Sequence, residues 1–263
     1  MYKLRKWILA AAMSFSASAF ANTFTTELSD LWYNRNESGW GLNVSHQREV
    51  AFLTFYIYGP DGRATWYTGE TANTGQNAQG ALVFSGSMYQ FTGPAFTTVP
   101  FDSTKVIGRS VGTVTFTAFL DKATLTYTID GATVSKELTR YTFRVNDMSG
   151  EYIGAIKQSQ SSCRAPYVNG DLNRNTEFSV VNSPSTFSMN VRQPDGTVCN
   201  YSGNYTQGGR LGRSQGSYSC PGGVTGLYDL FEIEASVQGF LGRYIATDNF
   251  CDSTIGRFAA MRK

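Results

Sequence analysis

Period-two alternation of apolar and polar positions runs through most of the chain. Val114, Phe116, Ala118 and Leu120 alternate with Thr113, Thr115 and Thr117, and Leu125, Tyr127 and Ile129 alternate with Thr124, Thr126 and Thr128. Threonine on one side and apolar residues on the other is what an antiparallel sheet with one wet face requires. No stretch sustains an apolar period of 3.6, so no long helix is predicted.

Turn chemistry sets the expected register. Residues 39–46 and 51–58 flank a tight turn at Gln47-Arg48, which places Trp40 opposite Phe55, Leu42 opposite Leu53, and Val44 opposite Ala51. Gly59-Pro60-Asp61-Gly62 reads as a four-residue loop, which sets Trp66 opposite Phe55. Trp40, Phe55 and Trp66 are therefore expected as one inward row across three strands. Asp130-Gly131 is a hairpin signal leading into a strand over residues 134–143. Between Gly93 and Gly108 lies a long connection carrying Phe96, Val99 and Phe101.

Residues 31–143 read as one meander, residues 146–150 as a linker, and residues 151–262 as a second meander. Strands in the second half are expected over 152–158, 177–181, 186–192, 198–207, 213–220, 226–237, 240–247 and 256–261. A closed barrel leaves such a meander without exposed edges, and a β-sandwich is the alternative. The predicted fold class is all-β: two tandem antiparallel up-and-down barrel-like (calycin-like) domains, over residues 22–145 and 146–263.

Composition agrees, with 14% aromatic residues and 27 glycines. The first 21 residues are set apart: Lys3, Arg5 and Lys6 precede an uncharged stretch over residues 7–20 that ends in Ala19-Phe20-Ala21. This is the pattern of a cleavable signal peptide, 1–21, with the exported protein starting at Asn22 and ending up periplasmic or secreted. No later stretch is apolar for long enough to cross a membrane as a helix, so no integral membrane segment is expected after cleavage. The segment also holds three basic residues and no acidic one, so the formal +2 of the chain falls to near −1 in the remainder. A nucleic-acid partner is therefore not expected.

All four cysteines, Cys163, Cys199, Cys220 and Cys251, fall in the second half. In an exported chain an even count implies disulfides, and neither CxxC spacing nor nearby histidine suggests metal. A two-residue turn at Gly209-Arg210 sets Cys199 opposite Cys220. Antiparallel pairing of the first and last strands brings Cys163 to Cys251.

Candidate chemistry is sparse. The single histidine, His46, reads as an exposed turn residue, and a nucleophilic site built on it with Ser38 is the weaker alternative. Asp171-Leu-Asn-Arg-Asn175 has a calcium-like oxygen spacing, but Thr176 and Asn182 stand where a calcium loop needs Gly and Glu, so a polar turn is expected and no metal. Glu37, Glu70, Glu232 and Glu234 show no pairing by spacing. No catalytic residue and no cofactor are predicted.

Leu31-Trp-Tyr-Asn34, Asn36-Glu-Ser-Gly-Trp-Gly41, and Tyr58 with Asp61-Gly62 and Trp66 resemble the W-x-x-x-x-E-S-G-W-G β-module of exported proteobacterial proteins. Tyr201-Ser-Gly-Asn-Tyr-Thr206, Gly209-Arg210 and Gly256-Arg-Phe258 resemble the cysteine-containing β-domain that often accompanies it. A more distant likeness is to lipocalin and avidin barrels. It implies Trp32 on the first strand with Arg140 of the last packed over it, and Tyr152 with Arg257 in the same places of the second half. Fold likeness alone carries no activity.

The expectation is a non-enzymatic exported binding module for a small apolar or sugar-like ligand. Its site would lie in the first barrel, formed by Trp32, Trp40, Phe55, Trp66, Phe101 and Arg140. A protein-interaction or surface-associated role through outward Phe52, Tyr56 and Tyr58 is the first alternative, and a secreted hydrolase the second.

Overall fold

The computed structural model describes residues 27–263; the expected signal peptide and its cleavage point lie outside the described residues. Among these residues sixteen strands form two closed eight-stranded antiparallel barrels. The first contains β1 (Asp30–Tyr33), β2 (Gly41–Gln47), β3 (Val50–Tyr58), β4 (Ala64–Gln76), β5 (Leu82–Thr92), β6 (Ile107–Phe119), β7 (Lys122–Ile129) and β8 (Ala132–Arg140). The second contains β9 (Gly150–Cys163), β10 (Gly170–Asn182), β11 (Thr186–Arg192), β12 (Val198–Gly208), β13 (Leu211–Cys220), β14 (Val224–Ala235), β15 (Gly239–Asp248) and β16 (Cys251–Arg262). Within each barrel every strand pairs with its chain neighbour, and β1 with β8 and β9 with β16 close the rings, so no strand among the described residues is left as an edge. Closure rules out the sandwich.

The threonine-outside pattern holds. Val114, Phe116, Ala118 and Leu125 are buried in the first core with Leu42, Leu53, Phe84 and Met88. The Asp130-Gly131 turn joins β7 to β8 with both residues at positive φ, as a type I′ hairpin turn requires.

Two registers differ from expectation, with different consequences. The β2–β3 turn is Arg48-Glu49, so Leu42 faces Phe55, Val44 faces Leu53, and His46 faces Ala51. Each partner moves by two residues, which keeps the same side chains inside. The β3–β4 loop has five residues, not four: the Gly59 N–H donates to the Arg63 carbonyl at 2.9 Å, and Tyr56 faces Trp66. That one-residue slip reverses every side chain on β4. Trp66 is thus outside, 46% exposed and stacked on Phe91, while Tyr67 occupies the inward position.

The second barrel has longer strands than the sequence suggests. Residues 171–175 are part of β10, paired to β9 across residues 155–159, rather than a turn. Asp171, Asn173 and Asn175 therefore share the outer face, spaced about 7 Å apart along an extended strand, and their oxygens do not converge on a point. Its interior is lined by aromatics opposite glycines: Tyr218 faces Gly226, Tyr228 faces Gly216, Phe258 faces Gly242, and Tyr244 faces Gly256. A Cβ on Gly226 or Gly256 would lie 2.7 or 2.4 Å from a ring carbon of Tyr218 or Tyr244. The rings therefore lie down over bare backbone, against the wall. This leaves room along the axis that upright rings would fill.

Candidate ligand site

The residues proposed for the first barrel fall into three separate places. Trp32 is buried, donates from Nε1 to the Leu28 carbonyl at 3.1 Å, and meets Phe116 edge-on at 5.3 Å. The Arg140 guanidinium lies 4.7 Å over its ring. Nε of Arg140 donates to the Leu120 carbonyl, Nη1 to Asp30 and Nη2 to the Glu27 carbonyl, at 2.9, 3.2 and 2.6 Å. Burial pulls the Arg140 pKa down and the Asp30 carboxylate opposes the shift. All three nitrogens are engaged, so Arg140 closes one end of the barrel. Phe55 is core, edge-on to Tyr127 at 6.0 Å.

Toward the other end, Trp40 packs onto the core together with Ile57, Tyr127 and Ile129. Its Nε1 donates to Glu37 at 3.0 Å, and Lys136 reaches the same carboxylate at 2.7 Å while lying 5.8 Å over the Trp40 ring. The Lys136 hydrogen bond holds the Glu37 carboxyl below its usual range. Glu37 and Trp40 of the sequence motif thus cap this end. Trp66 is on the outer face, and Phe101 is 54% exposed on the 93–106 connection, whose Phe96 is 95% exposed. The structure therefore brings Trp32 and Arg140 together but does not gather the six residues around one void. His46 is not an exposed turn residue: it is buried, edge-on to Phe84, with Nε2 2.7 Å from the Arg48 carbonyl and Nδ1 accepting from Leu28 N–H at 3.4 Å.

The second barrel repeats the closed end. Tyr152 donates to the Met148 carbonyl at 2.8 Å, and a guanidinium lies 5.2 Å over its ring. That guanidinium belongs to Arg262, not Arg257. Gly256, Phe258, Ala260 and Arg262 share the inward face by alternation, which puts Arg257 outside.

The opposite end is open. A cavity of about 290 Å³ enters it, lined by Tyr201, Tyr218, Tyr244, Gln158, Gln160, Arg174, Thr254 and Asp248, with Cys199 and Cys220 at its rim. The bonds are Cys199–Cys220 and Cys163–Cys251, the expected pairing, and both fall at the strand ends around this mouth. Tyr244 donates to Gln158 Oε1 at 2.6 Å, Tyr218 to Asp248 Oδ2 at 2.5 Å, and Arg174 Nη1 to Gln193 at 2.5 Å. Asp248 Oδ1 takes the N–H groups of Phe250 and Cys251, each at 2.7 Å. Tyr201 stacks on Tyr218 with centroids 5.0 Å apart. Burial, with Asp248 close by, pushes the Tyr201 phenol up to about 12, and burial raises Tyr218 and Tyr244 as well.

Three polar side chains of this wall have no hydrogen-bond partner among the described residues: Tyr201 Oη, the Gln160 amide and Thr254 Oγ1. No sealed side-chain polar atom lacks a partner among those residues, so these groups open onto the cavity. Larger depressions lie outside the barrels, including a shallow one of about 530 Å³ on the outer face beside Leu227 and Ile245. Another, of about 610 Å³, runs along the outer face beside Leu241 and Ala259 and borders Glu27, where the described chain begins. A third, of about 560 Å³, lies between the barrels, and its Arg140 and Arg213 are already bound to Asp30 and Asp229.

Comparison with protein-family models and with curated proteins finds no match. The mouth residues had a signal in the sequence that the period-two reading passes over. Gly203-x-Tyr205, Gly216-x-Tyr218, Gly226-x-Tyr228, Gly242-x-Tyr244 and Gly256-x-Phe258 repeat one glycine–aromatic dyad on five strands. At strand spacing both members of each dyad face inward.

Proposed function

We propose that this chain is an exported, non-enzymatic binding module whose ligand site is the open mouth of the second barrel. The observation that carries this reading is the cavity whose wall holds uncommitted polar groups while the first barrel's interior is filled. Small-ligand sites are concave and partly aromatic, with a few fixed polar groups. Disulfides on the rim favour export to an oxidising compartment, periplasmic or extracellular, and hold the mouth in shape. The non-enzymatic reading is supported by the state of the candidate groups. Asp248 is held by three donors of its own chain, and His46 is buried in the other barrel.

A thermal-shift screen of a chemically mixed library on the oxidised chain tests the site. Compounds that raise Tm in the native protein should lose the effect in Ala246→Phe, which fills the mouth. Stabilisation that survives the substitution would move the site elsewhere, and a library without hits would count against the function.

Protein interaction is the second reading. Phe52, Tyr56, Tyr58 and Trp66 stand between 42% and 60% exposed on adjacent strands β3 and β4, an outward aromatic surface that suits a partner.

A further inference from the structure

We infer that the mouth of the second barrel takes a neutral polyhydroxylated ring, a sugar of one or two units, rather than an apolar or a charged compound; this rests on that mouth being the ligand site. The first support is the kind of polar group left unused. Tyr201 Oη and Thr254 Oγ1 each donate and accept, and the Gln160 amide does both through separate atoms. Gln158 accepts from Tyr244 through Oε1 and keeps its Nε2 hydrogens for another partner. Ring hydroxyls are likewise both donors and acceptors, so they match this set whichever way the protons point. An apolar ligand would cover the same groups without replacing their water, and a site built for hydroxyls rejects an analogue that lacks them.

The second support is the shape of the wall. Tyr244 over Gly256 and Tyr218 over Gly226 lie down against the backbone. They give flat apolar patches beside the polar groups, and a sugar ring has the same combination: C–H faces and a hydroxyl rim. The third support is charge. Arg174 is the cation of the lining, and Asp195 and Asp248 are its carboxylates. Asp248 is engaged three times, Asp195 accepts from the Thr197 N–H, and Arg174 already donates to Gln193. The wall thus holds one cation and two carboxylates, with no cluster of cations for an anionic ligand and no carboxylate that lacks a donor from the protein for a cationic one. Finally, the cavity of about 290 Å³ lies just below the usual range for small-ligand pockets, about 300–1,000 Å³, which limits the ligand to a short one.

Calorimetry on the oxidised full chain decides the class. The probes are glucose, galactose, N-acetylglucosamine and cellobiose, against cyclohexanol, glucuronate and glucosamine. At least one neutral sugar should bind tenfold or more tightly than every apolar or charged probe. Tyr201→Phe should weaken that binding about tenfold with Tm unchanged, since the hydroxyl it removes holds nothing within the protein. Thr254→Val serves as the second variant if Tyr201→Phe does not fold. Cyclohexanol or a charged probe binding best, in a manner abolished by Ala246→Phe, would overturn the sugar class and leave the site standing. A neutral sugar whose affinity survives Tyr201→Phe and Thr254→Val would also overturn the class. Failure of every probe to bind in an Ala246→Phe-sensitive way would overturn both.

Discussion

At the scale of single residues, Trp66 and Tyr67 show how one loop residue decides a side chain's role. Tyr67 is inside the first barrel and Trp66 outside, stacked on Phe91 at 5.8 Å. The expected consequence is a large asymmetry between two aromatic substitutions. Phe55→Ala should cost about 3–5 kcal/mol, because it empties a sealed position in a close-packed core. Trp66→Ser should stay within about 1 kcal/mol, the loss of one exposed ring pair. Urea denaturation of both variants measures this, and a Trp66→Ser penalty as large as that of Phe55→Ala would mean the β4 register is wrong. The same Trp66→Ser variant tests the interaction reading, since a partner held by the outer aromatics should lose cross-linking to it. Aromatic closure at each barrel's end works by the same chemistry on different residues. Trp32 and Tyr152 each reach a carbonyl four residues back and each lies beneath an arginine from the last strand.

Among the elements, the strand ends of the second barrel carry the covalent links. Cys163–Cys251 joins β9 to β16, the pair that closes the ring, across 88 residues of sequence; Cys199–Cys220 joins neighbouring β12 and β13 across 21. In the chain-entropy account the first should contribute about 4–5 kcal/mol and the second about 3. The variant with Cys163→Ser and Cys251→Ser should therefore unfold its second barrel at a lower Tm than the variant with Cys199→Ser and Cys220→Ser. In a background where the two barrels melt separately, the first barrel, with no cysteine, should be unmoved in both. Calorimetric scans with and without reductant check this, and equal sensitivity of both barrels to reductant would contradict it. The glycine–aromatic dyads act at the same scale. They let rings lie flat across adjacent strands, which is why this barrel keeps an open mouth while the first, with fewer inward glycines opposite rings, is filled.

In the whole molecule, the β12–β13 turn of the second barrel seats against the closed end of the first. The Arg210 N–H donates to Asp30 Oδ2 at 3.2 Å, the same oxygen that binds Arg140, and the Gly209 N–H donates to Thr142 at 2.9 Å. Gln207 reaches the Arg144 carbonyl at 2.7 Å and Asn146 N–H at 2.7 Å. Gly209 has φ +61, and a Cβ there would sit 2.2 Å from Asp30 Oδ2. Any larger residue must push the barrels apart as well as strain the turn. Gly209→Val should therefore uncouple them: a single unfolding transition in the native protein becomes two, with the disulfide-linked barrel melting last. Differential scanning calorimetry reads this directly, and one unchanged transition in the variant would show that the turn does not couple the barrels. Because the closed ends meet, the open mouth of the second barrel faces away from the first and stays accessible.

The sequence by itself determined the all-β class, the two meanders, the Asp130-Gly131 hairpin and both disulfides. All but one follow from short-range rules: alternation of period two, turn residues at fixed spacing, and a hairpin whose two-residue turn leaves one pairing for Cys199; Cys163–Cys251 follows from the first strand closing on the last. It also placed Trp32 with Arg140, through resemblance, since first and last strands must meet wherever a meander closes. Tertiary structure decided the rest. Whether Trp66 points in or out depends on a loop of four or five residues, and local chemistry does not separate Gly59–Gly62 from the same turn with Arg63 added. Arg262 rather than Arg257 covers Tyr152 because closure fixes the register of two strands about a hundred residues apart. The mouth was hidden for the same reason: its tyrosines, glutamines and threonine come from β9, β12, β13, β15 and β16, and only the closed ring brings them to one wall. What remained unpaired there could be known only after every other partner had been placed.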